Sequence, residues 1–323
     1  MELTRVPQKI TIFPVCIHQH EGQIALQVYN ARRNVQVLAP QFTYRPHSAT
    51  SNVEKVGLAV EITETLWLYD DFIENLSHDS ASHSHRDIKG CLTIDLDRPS
   101  RKNQMAHLFE GFAIRLNEID AAGTSSVRHS LRSYLYEYDS QKEPFKNLQE
   151  YIEFRISNVG FRIMESFMKW NLGISLDESE KGLSRKYYLS SGRVMGLTND
   201  LYSWTVEKTD ARGRQWNAVR VIMSQHKLSE ADALVFLRGL IMVHEQETLR
   251  LGAELLEESA SSAKMIRYVS AMELMLGGNC FWSATCPRYN HDAPSLSTLT
   301  ATAVSPALPI QGGCPEDKSE TRR

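Results

Sequence analysis

A chain of 323 residues with 42% hydrophobic and 23% charged side chains has the make-up of an ordinary globular protein able to bury a large core. Its formal charge of −3, without a long basic run, argues against nucleic acid as a partner. The apolar stretch 233–243 is interrupted by Arg238 and is too short for a bilayer, and MELTRVPQKITIF lacks the apolar centre of a signal peptide, so no membrane association is expected and the cytosol is the default location.

Residues 1–50, with prolines at 7, 14, 40 and 46, read as an irregular arm carrying one helix near 23–33. Beyond residue 53 the pattern is helical almost throughout, and up to residue 290 proline occurs only at 99, 144 and 287. The spacing predicts helices near 53–77, 100–121, 125–138, 145–171, 177–208, 213–225, 229–258 and 262–285. The helix beginning after Ser229 shows the signals clearly. Acids fill its first turn, and Ala233, Phe236, Leu237, Leu240 and Ile241 recur at three- and four-residue intervals. The stretch SHDSASHSHRD, with His78, His83 and His85, reads as a polar loop rather than a metal site, because serine surrounds every histidine. Five cysteines (Cys16, Cys91, Cys280, Cys286 and Cys314) show no short paired spacing and are expected as free thiols. Residues 291–323, rich in Ser, Thr, Pro and Gly, read as a disordered linker or tail. The expected organisation is one all-α domain over 1–290 followed by that tail.

Two stretches depart from what core packing alone would choose. In LWLYDDFIEN, Asp70 and Glu74 share a helix face and Asp71 lies beside it. Like charges at this spacing repel, while Leu66, Trp67 and Tyr69 draw the same segment inward. Interior carboxylates need a counter-charge, which a hard divalent cation supplies. Taken alone, the stretch fits a solvated acidic helix end equally well. In MGLTNDLYSWTVEK, Asn199, Ser203 and Glu207 recur every four residues, so three oxygen donors stack along one stripe. Asn and Ser are mediocre helix-interior residues, and Leu201, Tyr202, Trp204 and Val206 embed this helix in the protein. Carboxamide, hydroxyl and carboxylate oxygens suit Mg²⁺; a plain polar stripe is the alternative.

With these residues in view, the chain resembles the class I terpene synthases, over roughly residues 10–291. Asp70-Asp71-x-x-Glu74 is similar to their aspartate-rich motif, and Asn199-Asp200-x-x-Ser203-x-x-x-Glu207-Lys208 to their longer metal motif, in the same order and at a similar separation. Arg155 resembles the family's pyrophosphate-sensing arginine before a helix break, which Gly160 would supply. Arg288-Tyr289, after Trp282, resembles the terminal pair that closes on the diphosphate. The likeness is strongest to the N-terminal cyclase domain of fungal bifunctional di- and sesterterpene synthases, in which a linker leads to a prenyltransferase domain. Departures are visible. Glu74 stands where many relatives carry Asp, and Asn158 and Val159 stand where relatives carry an acidic or hydroxyl residue and a glycine, near the expected effector carbonyl.

The resemblance implies an α-helical bundle around a central active-site cavity, three Mg²⁺ ions and an isoprenoid diphosphate substrate. Asp70 would serve two ions, and Asn199, Ser203 and Glu207 the third, with Asp71 and Glu74 completing the acidic motif. Arg155, Asn199, Lys208, Arg288 and Tyr289 would contact the diphosphate. Trp67 and Trp282 are the wall candidates for a carbocation, ahead of Phe72, Phe161 and Met195, although a single aromatic on a helix is more often plain core. The resemblance points to geranylgeranyl or geranylfarnesyl diphosphate as substrate. The alternatives are a sesquiterpene cyclase on farnesyl diphosphate and a non-catalytic helical assembly domain for a fused or separate prenyltransferase. A chain-elongating prenyltransferase would need a second aspartate-rich motif where Asn199 and Ser203 stand. A second pair, Arg267-Tyr268, lacks the flanking tryptophan and reads as structural.

Overall fold

The computed structural model describes residues 2–3, 11–14, 16–17, 53–73, 76, 78–92, 104–137, 145–209, 216–286 and 288–289. Ten helices lie among them: α1 (Val53–Ile73), α2 (His78–Cys91), α3 (Gln104–Asp120), α4 (Ser125–Glu137), α5 (Leu148–Asn158), α6 (Phe161–Leu172), α7 (Glu178–Glu207), α8 (Ala218–His226), α9 (Glu230–Glu258) and α10 (Ala263–Thr285). Two short strands, β1 (Glu2–Leu3) and β2 (Cys16–Ile17), pair antiparallel with Glu2 opposite Ile17. The expected helix near 23–33, Glu74, Pro287 and the 291–323 tail lie outside the described residues.

The starts of the later helices follow from their capping residues. Asp177 and Glu180 form a reciprocal capping box that satisfies the first orphan N–H groups of α7. Asn147, Asn217, Ser229 and Ser262 each accept a backbone N–H at the starts of α5, α8, α9 and α10. The stretch 145–171, read from periodicity as one helix, is two. Gly160 takes φ +78°, a left-handed conformation that costs a residue with a side chain about 1–2 kcal/mol, and α6 begins immediately after it.

The stretch expected as a polar loop is the helix α2. Ala81, Ser84, His85, Ile88 and Leu92 are buried, a helical rhythm in which two of the five inward positions are polar. His85 Nδ1 meets the Tyr69 hydroxyl at 3.0 Å, so the imidazole is satisfied inside the core.

α7 runs through the middle of the second half, against α9, α10 and α5. Three large apolar clusters surround it or adjoin it. The first joins α1, α2, α3, α4 and α6 through Leu58, Ile88, Phe109, Leu131, Phe167 and Trp170. The second draws Phe13, Phe161, Tyr187, Met195, Leu255 and Met272 together. The third packs Leu148, Leu201, Trp204, Ile222 and Leu237 around the lower part of α7. Burying each such side chain contributes about 1.5–3 kcal/mol. The segment 11–14 straps across the helices, where Thr11 Oγ1 donates to the buried Glu245 at 2.5 Å and Phe13 is fully buried. Asp120 fastens α3 to α1 and α6, accepting from Lys55 Nζ at 2.5 Å and Trp170 Nε1 at 3.1 Å.

Candidate active site

The last turns of α7 carry the polar stripe. Leu197, Leu201 and Trp204 anchor the helix in the third cluster, which leaves Asn199, Ser203 and Glu207 along another side. Ser203 is fully buried and Glu207 half-buried. Asp200, the residue after Asn199, is fully buried as well. Its Oδ2 accepts from the Tyr151 hydroxyl at 2.5 Å and from the Ala218 N–H at 3.0 Å, and its Oδ1 accepts from Arg155 Nε at 2.9 Å. Burial, reinforced by Glu207 and opposed by Arg155, pushes the Asp200 carboxyl up to about 6.

Arg155 comes from α5, one turn before the Gly160 break. Every nitrogen of its guanidinium is engaged: Nε with Asp200, Nη1 with Asn158 Oδ1, and Nη2 with Asn199 Oδ1 at 2.5 Å. Burial works against its charge, but Asp200, Tyr151 and Glu207 more than offset this and raise its pKa above the ordinary arginine value. The approach of α5 to α7 needs a glycine. A Cβ on Gly196 would lie 2.9 Å from Arg155 Cγ, so the arginine stem passes where any side chain would collide.

The other side of the site is built by α1 and the chain after α10. Arg288 grips Asp71 with both terminal nitrogens, at 2.8 and 2.6 Å, and its Nη2 lies 3.7 Å from Asp70 Oδ2. The next residue turns back to α7: Asn199 Nδ2 donates to the Tyr289 hydroxyl at 3.0 Å, and Thr205 Oγ1 donates to the Tyr289 carbonyl at 3.0 Å. Burial, opposed by Arg288 and helped by Glu207, pushes the Tyr289 phenol up to about 12, so it stays a neutral donor. Below the acidic pair, Trp67 and Trp282 stack face to face, with centroids 4.6 Å apart and planes 8° from parallel. Tyr289 meets Trp282 edge-on at 5.4 Å.

The structure therefore brings together Asp70, Asp71, Arg155, Asn199, Arg288 and Tyr289, with Trp67 and Trp282 beside them. Ser203 and Glu207 continue the stripe and share a neighbour, Asn217, that the sequence reading did not single out; its place just before a helix in WNAV was the available signal. Lys208 is turned elsewhere. It pairs with Glu230 at 3.0 Å and lines a separate open surface pocket with Trp204, Arg220 and Met223. Phe72 is half exposed, whereas Phe161 and Met195 are core residues of the second cluster. Tyr268 of the second Arg-Tyr pair is buried, donating to Glu165 at 3.1 Å, and Arg267 donates to the Leu172 carbonyl. Both are structural contacts.

The donors on α7 are hard oxygens, which fit a hard divalent cation. Asn199 Oδ1 accepts from the Arg155 guanidinium, and Ser203 Oγ and Glu207 Oε2 accept from the neutral Asn217 amide. Among the described residues no three His, Cys, Asp or Glu side chains converge, and a cation on the α7 stripe would draw on carboxamide and hydroxyl oxygens together with the carboxylate.

The bundle thus sets paired acids on one helix and a mixed oxygen stripe on another, with two arginines between them, a cluster whose oxygens suit a hard cation and whose guanidinium groups suit an anion. Residues 61–247 match the model of terpene synthase family 2, C-terminal metal binding, and the chain belongs to that family. Ophiobolin F synthase oblA of Aspergillus clavatus is 28% identical over 79% of this chain and 36% of its own length. Fusicoccadiene synthase of Phomopsis amygdali is 24% identical over 86% of this chain and 41% of its own length. The sesterterpene synthase btcA of Colletotrichum orbiculare is 26% identical over 79% of this chain and 38% of its own. The chain thus spans about two fifths of the length of these relatives, or less. Among solved structures, aristolochene synthase from Penicillium roqueforti superposes with a TM-score of 0.70 at 17% identity, covering 85% of this chain and 98% of that one. A single-substitution variant of cucumene synthase gives 0.71 at 12% identity, covering 86% and 99%. These two share the α-helical terpenoid fold with this chain. No helix among the described residues is long and apolar enough to cross a membrane.

Proposed function

We propose that this chain is a cyclase that ionises a linear isoprenoid diphosphate, releases pyrophosphate and folds the resulting carbocation into a polycyclic hydrocarbon. The observation that carries this reading is the continuous chain of contacts from Asp71 through Arg288–Tyr289 to Asn199 and Arg155, which ties both acidic motifs to two arginines. Such a cluster serves a substrate whose charge changes at its diphosphate end.

Heterolysis of an allylic C–O bond leaves a carbocation and an anion. Arginine forks and the Tyr289 hydroxyl donate hydrogen bonds to phosphate oxygens and stabilise the departing charge in a partly buried setting. Asp70, Asn199, Ser203 and Glu207 would hold Mg²⁺, three ions by the family resemblance, and the metal when bound supplies Lewis-acid stabilisation of the leaving group. Trp67 and Trp282 offer π faces to the cation, each contributing roughly 0.5–2 kcal/mol. Geranylgeranyl or geranylfarnesyl diphosphate is the proposed substrate, supported by relatives named as sesterterpene synthases. Residues 1–290 form the proposed cyclase unit, working in the cytosol, with a fused or separate prenyltransferase as the partner that supplies substrate.

The test is release of pyrophosphate from each of these substrates, with Mg²⁺ and with EDTA. Metal-dependent release from either supports the reading. A folded protein that releases none from any isoprenoid diphosphate points instead to an assembly domain.

A further inference from the structure

Asn217 divides one carboxamide between two tasks. It sits directly before α8, only 1% exposed. Its Oδ1 accepts the Val219 N–H at 2.9 Å and caps that helix. Its Nδ2 lies 2.9 Å from the Asp200 carbonyl, 2.8 Å from Glu207 Oε2 and 3.4 Å from Ser203 Oγ. An amide nitrogen has two N–H donors for these three acceptors, so one N–H is shared between two of them. With the oxygen tied into the cap, the plane of the amide is set, and its donors can point only toward the end of α7.

Two of those three acceptors are the donors proposed for one cation. Ser203 and Glu207 lie one helical turn apart, and a half-buried glutamate left to itself samples several rotamers. A carboxylate offers about four lone-pair sites, so one N–H on Oε2 orients the group and leaves it able to bind a cation. We propose that Asn217 is a positioning residue for the α7 metal donors: it clamps Glu207 beside Ser203 and locks that pair to the start of α8. It touches neither substrate nor metal. The inference rests on the metal reading given above, and the experiment separates the two.

The variants are Asn217→Ser, which keeps a good helix cap but lacks the amide donors, and Asn217→Ala, which lacks both. Mn²⁺ with inorganic pyrophosphate is the probe, its free concentration read by electron paramagnetic resonance, in the cold and well below the melting point of each variant. Melting temperature is measured alongside. Asn217→Ser is expected to melt within a few degrees of the parent chain while its Mn²⁺ midpoint rises about 10–100-fold, the range for residues that orient metal ligands. In a Glu207→Ala background the same change is expected to add almost nothing, because Asn217 acts through Glu207. An unchanged midpoint in Asn217→Ser, or a full further loss in the double variant, would overturn the proposal and leave Asn217 a helix cap. Absence of saturable Mn²⁺–pyrophosphate binding by the parent chain would overturn the metal reading itself.

Discussion

Arg288 holds both carboxylate oxygens of Asp71, at 2.8 and 2.6 Å, across 217 residues of chain. The pair fastens the segment after α10 to the acidic end of α1, and the adjoining Tyr289 carries the link to Asn199 on α7. Three distant segments thus meet at one charged seam. Burial works against the charge of Arg288, but Tyr289, Asp71 and Asp70 raise its pKa well above the ordinary value, so the guanidinium stays charged.

Removing a donor aimed at developing charge should slow chemistry far more than it disturbs folding. Arg288→Ala is expected to lower kcat about 10²–10³-fold. Its melting temperature should stay within a few degrees of the parent, because the guanidinium lies at the rim of the core. Single-turnover kinetics with a circular dichroism melt checks both halves.

Lys208 supplies the contrast. Its ammonium is held by Glu230 at the surface, and exposed pairs of this kind are worth about 0.2–1 kcal/mol. Lys208→Ala is therefore expected to change kcat/KM by less than about fivefold, whereas Arg155→Ala, which empties three contacts at the seam, should cost at least about 10²-fold. Equal losses from the two substitutions would place Lys208 on the diphosphate after all.

Asp200 is the buried counter-charge of Arg155. Asp200→Ala removes the carboxylate partner of that guanidinium and one acceptor each from the Tyr151 hydroxyl and the Ala218 N–H, and is expected to destabilise the fold by about 3–5 kcal/mol. A urea unfolding curve reads this directly. A loss below about 1 kcal/mol would mean that water replaces the carboxylate and the network is not closed.

Gly160→Ala tests the helix break. The added Cβ would meet only Tyr134 Cε2, at 3.8 Å, so space is available and the penalty is conformational. A cost of about 1–2 kcal/mol is expected from the left-handed φ. A neutral substitution would show that the α5–α6 junction relaxes to another backbone.

These elements also show what could be read before folding. The α7 stripe was legible because its oxygen donors repeat at helical spacing within one element. The start of α9 was legible because Ser229 and the acids after it are a local signal. The helix α2 was hidden because Ser84 and His85 occupy inward positions, where a tertiary contact such as that with Tyr69 makes a buried histidine acceptable. The roles of Asp200 and Asn217 were hidden for a related reason. Their partners come from α5, α7 and α8, and no spacing along the chain announces a hydrogen bond between helices. The contact of Lys208 with Glu230 likewise joins two helices and leaves no mark on the spacing of the motif.

In the proposed function the aromatic pair would bear on product rather than on ionisation. Trp282→Phe is expected to preserve most of the packing against Trp67 and keep the metal dependence, while shifting the product mixture. Gas chromatography of products from parent and variant makes the comparison. An unchanged product profile with a lowered rate would assign Trp282 to the core instead of the cation wall.

The central claim is tested most directly by incubating the purified chain with farnesyl, geranylgeranyl and geranylfarnesyl diphosphates plus Mg²⁺, and reading the hydrocarbons by gas chromatography–mass spectrometry. A cyclic hydrocarbon from the C20 or C25 substrate, absent with EDTA and absent with Asn199→Ala, is the predicted result. Linear alcohols or nothing from all three substrates, with a protein that is folded and binds Mn²⁺ and pyrophosphate, would contradict it.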